Sequence, residues 1–228
     1  MPSLPRPRLS ANFAITWDGR ISTRRRTPSD FSSPVDKTRF LELRSRADAV
    51  LVSARTAAAD HMTIGLPEAL RAERVARGQS AYPLRILLSN TGRIDPALRV
   101  FTETFSPIVI FSTTRMPRRV REQLAPLAEL HLYEGAQVNL AHMLATLRRE
   151  YRVRRAHCEG GGRLFRGFLA ESLVDDLHLT LCPRIFGSPA APTLTGPPGE
   201  FLPKSGMWKL MKMETIGDEC FLRYRAQR

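Results

Sequence analysis

Short apolar runs alternate along this chain with stretches whose apolar residues recur at helical spacing. Near the start, Ala11, Phe13 and Ile15 alternate with Ser10, Asn12 and Ala14. That period of two predicts a strand over 9–16, apolar enough on both sides to be covered on both faces. Trp17-Asp18-Gly19-Arg20 closes it as a turn, and the polar, basic stretch 22–32 predicts a loop. Ser33 and Pro34 form a helix N-cap followed by a first-turn proline. Val35, Phe40, Leu41 and Leu43 carry that helix to about Arg46. Ala49-Val50-Leu51-Val52, bounded by charge, has the pattern of a buried parallel strand, and Ala57-Ala58-Ala59 favours a helix behind it. A helix is predicted over 67–78 with Leu70 and Val75 inward. Strands are predicted over 84–89, 108–111 and, more weakly, 130–133, with a helix over 117–124. Leu140, Met143, Leu144 and Leu147 predict a helix over 139–150. A long strand follows over 174–183, with Leu177, Leu179 and Leu181 on one face and Asp176, His178, Thr180 and Cys182 on the other. After a proline- and glycine-rich loop over 189–206, residues 208–216 and 220–224 predict a closing hairpin.

Between the 139–150 helix and the 174–183 strand lies Ala156-His157-Cys158-Glu159-Gly160-Gly161-Gly162-Arg163-Leu164. A short apolar run, a glycine turn and the helical spacing of Leu164, Phe165, Phe168 and Leu169 predict strand, turn and helix. The first amides of such a helix are unpaired and its dipole adds positive potential, which suits a phosphate or pyrophosphate. A plain strand-to-helix turn uses the same glycines, so the motif alone leaves both readings open. The whole pattern predicts an α/β fold: a mainly parallel central sheet flanked by helices, with an antiparallel C-terminal hairpin. No repeat or linker interrupts it. One domain is expected over 1–228, with a loose proline-rich lead-in over 1–8.

Composition narrows the function classes. The chain has 228 residues, 43% hydrophobic and 25% charged, as expected of an ordinary globular protein. No run is long and apolar enough for a membrane span, and the N-terminus lacks the apolar core of a secretory signal. Cys158, Cys182 and Cys220 show no paired-ligand spacing. This argues against a disulfide framework or a metal site and suits the cytoplasm. The net charge is +13. Arg20, Arg24, Arg25 and Arg26 stand without interleaved aromatics. A solvated basic surface that attracts phosphorylated ligands is therefore favoured over a nucleic-acid interface.

Five blocks, in order, carry a family resemblance: 12–21, 43–56 with Asp60, Pro83-Leu84-Arg85-Ile86-Leu87-Leu88-Ser89, Glu159-Gly160-Gly161-Gly162, and Leu173-Val174-Asp175-Asp176-Leu177 leading to Pro183-Arg184-Ile185-Phe186-Gly187. The chain resembles the reductase domain of bacterial riboflavin biosynthesis proteins, which has the dihydrofolate reductase-like fold. No zinc deaminase signature is present. The resemblance implies NADPH-dependent reduction of the ribosyl group of a phosphoribosylamino-pyrimidine to ribityl, by a homodimer. It implies cofactor contacts at Ser53, Thr56, Asp60, Ser89 and Asn90 and in the loop Gly160, Gly161, Gly162, Arg163, Leu164. It implies substrate contacts at Asn12, Asp18, Arg44 and Glu159, with the arginine fork suited to a phosphate. Arg55, near the cofactor loop, suits a 2′-phosphate and favours NADPH over NADH.

Two segments depart from the family pattern. Pro28-Ser29-Asp30 replaces a tryptophan-containing segment, with Phe31 as a candidate stand-in. The stretch His61-Met62-Thr63-Ile64-Gly65-Leu66-Pro67 lacks the family's Leu-Thr-x-Arg arginine. A same-fold reductase of another pterin- or pyrimidine-like compound is therefore the alternative, and a non-enzymatic nucleotide or nucleic-acid binder the third reading. Several residues have simpler roles available. Asp18 is a turn former more than an acid. Trp17 lines a pocket or sits in the core. Thr56 and Asp60 cap the helix after the second strand, with Asp60 one turn in, at its positive end. Glu159 faces the cleft or accepts amides within its turn. His157 and His178 are packed, and Cys158 is a small buried hydrophobe. The general acid is left unassigned.

Overall fold

The computed structural model describes residues 5–23, 31–196, 199 and 201–227. In chain order the elements are β1 (Arg8–Thr16), α1 (Pro34–Arg46), β2 (Ala49–Ser53), α2 (Ala54–Ala59), α3 (Glu68–Ala76), β3 (Leu84–Ser89), α4 (Arg99–Thr102), β4 (Ile108–Thr113), α5 (Arg118–Leu124), β5 (Glu129–Tyr133), α6 (Leu140–Arg149), β6 (Arg155–Cys158), α7 (Gly162–Ala170), β7 (Asp176–Cys182), β8 (Met207–Ile216) and β9 (Glu219–Gln227). The fold is the expected α/β class, with a mainly parallel central sheet and antiparallel C-terminal strands. The basic run Arg24, Arg25 and Arg26 and the segment Pro28-Ser29-Asp30 lie outside the described residues.

Backbone packing divides the chain into two compact units, one built on Arg44–Ala156, the other on Arg8–Leu43 and His157–Arg228. In the first unit β2, β3, β4 and β5 run parallel, with Val52 opposite Leu87, Leu87 opposite Ile110 and Ile110 opposite Leu130. The near-continuous apolar runs of β2, β3 and β4 are buried, as parallel strands covered by helices require, and β5 is half-buried along most of its length. Val50, Leu87, Val100, Ile110 and Leu124 anchor this core.

Helix α3 corrects the sequence reading. Val75 is 59% exposed, and the buried side chain of the helix is Arg74. Its guanidinium donates to the carbonyls of Ser45 (2.8 Å), Ala47 (2.6 Å) and Ser80 (2.8 Å). Ser45 lies in the last turn of α1, where carbonyls have no helical partner, so the arginine satisfies orphan acceptors from outside the helix. Arg85, inside β3, does the same for a loop. It donates to Val100, Glu103 and Ser106 carbonyls at 2.7, 2.7 and 2.5 Å, and lies 4.4 Å over the Phe105 ring. The loop holds α4, an element the periodicity did not indicate.

In the second unit β1 and β7 run parallel, β9 is antiparallel to β7, and β8 closes the hairpin against β9. Strand β7 also differs from expectation. Asp176, Thr180 and Cys182 are the buried positions on the supposedly polar face, while Leu179 and Leu181 are only half-buried. That face meets α1 through Thr180 and Asp36, and Asp176 is ion-paired to Arg8, Arg223 and Arg225. Partnered polar groups can therefore occupy it. Arg8 belongs to β1 and not to the lead-in. Trp17 is 67% exposed, so the core reading of this tryptophan fails. Phe13 on β1 packs against Phe165 on α7, ring centroids 4.8 Å apart, fixing the helix that follows the glycine turn.

Candidate functional site

In the first unit the parallel strands end together. Ser53 closes β2 and is paired with Leu88; Ser89 closes β3 opposite Ser112; Thr113 closes β4. Small hydroxyl residues thus line the carboxyl edge, where open α/β sheets bind ligands. Ser53 is the N-cap of α2: its Oγ accepts from Thr56 N at 3.2 Å and lies 2.9 Å from Thr56 Oγ1. The structure therefore brings this predicted pair together. Ser89 Oγ accepts from Gly92 N at 3.1 Å, and Asn90 Oδ1 accepts from Val138 N at 3.0 Å. Ser112 Oγ and Thr113 Oγ1 donate to the Ser89 and Asn90 carbonyls at 2.6 and 2.9 Å. The turn that carries Ser89 and Asn90 is latched on several sides, which preorganises it.

Asp60 sits elsewhere on its helix than its spacing indicates. Helix α2 begins at Ala54, three residues before the alanine run, so Asp60 is its C-cap. A carboxylate there meets the negative end of the dipole, and burial pushes its pKa up. The capping role expected of Asp60 at the positive end is thus excluded. Arg44 is buried and donates to the Gly65 carbonyl at 2.6 Å. It braces the 61–67 segment, in which His61 and Ile64 hold positive φ of 46° and 61°. Such angles are strained for a β-branched residue.

In the second unit Glu159 directly follows β6 and is 9% exposed. The Gly160–Gly161 peptide bond is cis, and Gly160 has φ of 106°. A Cβ on Gly162, the first residue of α7, would come within 2.4 Å of Gly196 N and 2.7 Å of Gly196 Cα. Gly160 is therefore needed for its backbone angle and Gly162 for close approach of two main chains. Gly161, the N-cap, has φ of −73°, which any residue adopts. Arg163 and Leu164 continue the first turn of α7.

Asp18 organises the loop after β1. It accepts from Thr16 Oγ1 at 2.5 Å, from Phe186 N at 3.2 Å and from Gly187 N at 2.8 Å. The Thr16 hydroxyl and these amides hold its carboxyl at about 2. This is the turn-forming role, and it ties the 184–187 segment to the end of β1. Asn12 is half-buried, in register with His178 on β7. His157 is packed, its Nδ1 2.8 Å from Ser10 Oγ. Burial pushes the Cys158 thiol up to about 12, so it behaves as an inert hydrophobe.

Sequence reasoning missed one constellation. Glu219, 5% exposed at the start of β9, accepts from Ser33 N at 2.8 Å and from Ser33 Oγ at 2.5 Å. Asp36, 6% exposed in α1, accepts from Thr180 Oγ1 at 2.5 Å. Burial raises the Asp36 carboxyl, and the nearby charge of Glu219 adds to this. The one available signal was the Ser33-x-x-Asp36 capping-box spacing. Among the described residues, no group of histidine, cysteine, aspartate and glutamate could hold a metal ion.

Comparison with known proteins covers nearly the whole chain. Residues 7–222 match the RibD C-terminal domain model. Over 225 residues the chain is 30% identical to the 2,5-diamino-6-ribosylamino-4(3H)-pyrimidinone 5′-phosphate reductase of Archaeoglobus fulgidus, covering 98% of this chain and 100% of that one. It is 29% identical over 223 residues to the enzyme of the same name from Methanothermobacter thermautotrophicus, covering 97% and 99%. A pyrimidine reductase-like protein from Corynebacterium diphtheriae shares the fold with a TM-score of 0.82 at 22% identity, covering 97% of this chain and 92% of that one. With a match spanning all but the first few and last few residues, the chain belongs to the RibD C-terminal domain family.

Proposed function

We propose that this protein is an NADPH-dependent reductase of riboflavin biosynthesis, converting the ribosyl group of a phosphoribosylamino-pyrimidine to ribityl. The observation that carries this reading is the near end-to-end match to two reductases named for such a substrate. The residues present fit a nicotinamide dinucleotide. Ser53, Thr56, Ser89 and Asn90 offer hydroxyl and amide groups along one strand edge. Gly160, Gly161, Gly162, Arg163 and Leu164 bring backbone donors to the start of α7 for a pyrophosphate. Arg55, exposed in the first turn of α2, suits a 2′-phosphate. Asp60, at the C-terminus of α2, is a further cofactor contact.

The cofactor, when bound, supplies the hydride that reaches C1′ of the substrate. The C1′–O4′ ring bond breaks and O4′ takes a proton. The chain's own part is to hold the two reacting carbons together and exclude water. Glu159 and Asn12 contact the substrate. Asp18 acts on it through the loop it fixes, and Arg44 through the 61–67 segment. That segment lacks the family arginine, which favours a second reading, reduction of a different pyrimidine or pterin. We further assign a homodimer, closed on the exposed apolar residues of β8, where Met207, Leu210, Met213 and Ile216 are 68, 46, 64 and 37% exposed. We place it in the cytoplasm; among the described residues no helix is long and apolar enough to cross a membrane.

Tryptophan fluorescence tests the cofactor assignment. NADPH is expected to bind at least about tenfold more tightly than NADH, a difference near 1.4 kcal/mol, and Gly161→Val to weaken NADPH by a similar factor or more. Absence of binding by either cofactor would overturn the reductase reading. Side-by-side turnover of the riboflavin intermediate and dihydrofolate separates the two substrate readings.

A further inference from the structure

Three arginines converge on one buried carboxylate at the amino end of β7. Asp176, 3% exposed, meets Arg8 Nε at 2.5 Å through Oδ2, and Arg223 Nη2 at 3.3 Å and Arg225 Nε at 3.5 Å through Oδ1. Burial works against its charge, yet Arg8 and Arg223 hold its pKa below the ordinary carboxylate value. The register explains the convergence. Asp176 pairs with Ser10 on β1 and with Arg225 on β9, and Arg225 pairs with Lys209 on β8. Register partners share a face of the sheet, as do residues two apart on one strand. Arg8, Asp176, Arg223, Arg225 and Lys209 therefore lie on one face.

An ion-pair cluster that only tied strands together would balance its charges, and this one does not. Against Arg8, Arg223, Arg225 and Lys209 stand the carboxylates of Asp176 and Asp175, and Asp175 Oδ2 already accepts from Leu9 N at 2.7 Å. Glu214, further along β8, is engaged by Arg39 and Lys212 and does not neutralise the arginines. Each guanidinium has five N–H donors, while a carboxylate offers about four acceptor positions. Among the described residues, the Nε atoms of Arg223 and Arg225 have no hydrogen-bond partner. The side chains of Arg8, Arg223 and Arg225 are 49, 43 and 44% exposed, so their outer edges reach solvent. Positive charge and donors are thus both in excess, and a buried anchor holds them in place.

A phosphate group meets both excesses. It carries a charge of about −1.5 to −2 at pH 7, and its oxygens accept from guanidinium forks in pairs. Convergence on a point suits one small anion. A nucleic-acid strand needs a track of cations and, for unpaired bases, aromatic platforms. On this face of β9 the aromatic is Phe221, which is buried, with the Arg39 guanidinium 4.2 Å from its ring centroid. We propose that Arg8, Arg223 and Arg225 form a binding site for a single phosphate group, carried by inorganic phosphate or by a phosphomonoester. Asp176 is the positioning residue: it orders the guanidiniums before the ligand arrives, which lowers the cost of binding. Lys209 adds charge at the rim, on the face of β8 opposite Leu210 and Met213. The cofactor and substrate contacts of the reductase involve other residues, so this site goes beyond that reading.

Isothermal titration with sodium phosphate, at ionic strength held constant by sodium chloride, reads the site. It is run without NADPH and again with saturating NADPH, which fills the phosphate positions of the cofactor. Wild type is expected to bind phosphate in both runs, with a Kd at or below about 1 mM. Arg223→Gln and Arg225→Gln are each expected to weaken it about tenfold or more, and Arg225→Lys by less, since the charge stays and the fork is lost. NADPH affinity should be unmoved in all three. If Arg225→Gln does not fold, Arg223→Gln and Arg225→Lys decide. Ribose 5-phosphate in the same titration identifies the carrier: tighter binding that the variants abolish points to an ester, equal binding to the phosphate group alone. Absence of phosphate binding in wild type, or binding that survives both glutamine variants, overturns the site. So does tighter binding of a single-stranded oligonucleotide that grows with its length and is lost in both variants. Failure of NADPH to bind defeats the reductase reading alone, because the run without cofactor still reads the phosphate.

Discussion

The two units bury opposite charges. Among the described residues, the buried ionic side chains of the first are Arg44, Arg74 and Arg85; those of the second are Asp36, Glu159, Asp176 and Glu219. The difference follows from what each group can satisfy. A guanidinium has five donors and no acceptor, so it suits loops and helix ends that leave carbonyls unpaired. Arg74 and Arg85 are used in that way, and they stiffen the frame behind the hydroxyl-lined strand edge. A carboxylate only accepts, so it suits amides, hydroxyls and ligand N–H groups. Buried cations here brace carbonyls, and buried anions gather amides, hydroxyls and guanidinium groups.

The largest effect that would sharpen this contrast comes from Arg85→Met. It leaves three carbonyls without their donor and is expected to cost about 3–5 kcal/mol in urea unfolding, with the NADPH affinity of the folded fraction unmoved. A shift in that affinity would break the assignment of cations to scaffold. Glu219→Ala comes next, at about 1–2 kcal/mol, because the N-cap amide and hydroxyl of Ser33 lose their acceptor. An unchanged unfolding midpoint would show that this contact does not stabilise the helix end.

The smallest expected effect is one of sign. Burial raises the Asp36 carboxyl above its ordinary value of 3.8. Its contribution to stability is therefore fully present below that value and is lost as pH rises through the raised one. Against Asp36→Asn, wild type should lose relative stability over that window, with Glu219 and Arg39 the charged neighbours. Asp18, held at about 2, should do the reverse. Against Asp18→Asn, wild type should gain relative stability as pH rises from about 2 to 3.8. Thermal midpoints between pH 2 and pH 7 read both slopes; slopes of the same sign would remove the distinction.

Much of the frame was legible because it depends on period and local chemistry. The run 84–89 is β3 to the residue, and Ser53 and Thr56 meet because a cap reaches three positions on. Arg74 was not legible: a long stem and a cation look like surface, and the carbonyls that accept it are not written in side-chain types. The face of β7 was misread for a related reason. Thr180 and Asp36 are buried as a pair, and the partner lies 144 positions away. Asp60 depended on where α2 starts, which propensity placed at the alanine run and the Ser53 cap placed earlier. The glycine turn was legible as a shape. Which glycine serves which purpose became clear only from its angles and neighbours.

The contact of Gly162 with Gly196 sets a limit on how this region can vary. A side chain that clashes with another side chain can be rescued by trimming its neighbour. Here the atoms in the way are a main-chain nitrogen and Cα, and Gly196 has itself a φ of 96°. No second substitution can trim a backbone. The 193–196 turn and the start of α7 can therefore change only by moving apart, so a swapped or lengthened segment between 187 and 206 must keep that one point of approach to leave the glycine loop in place.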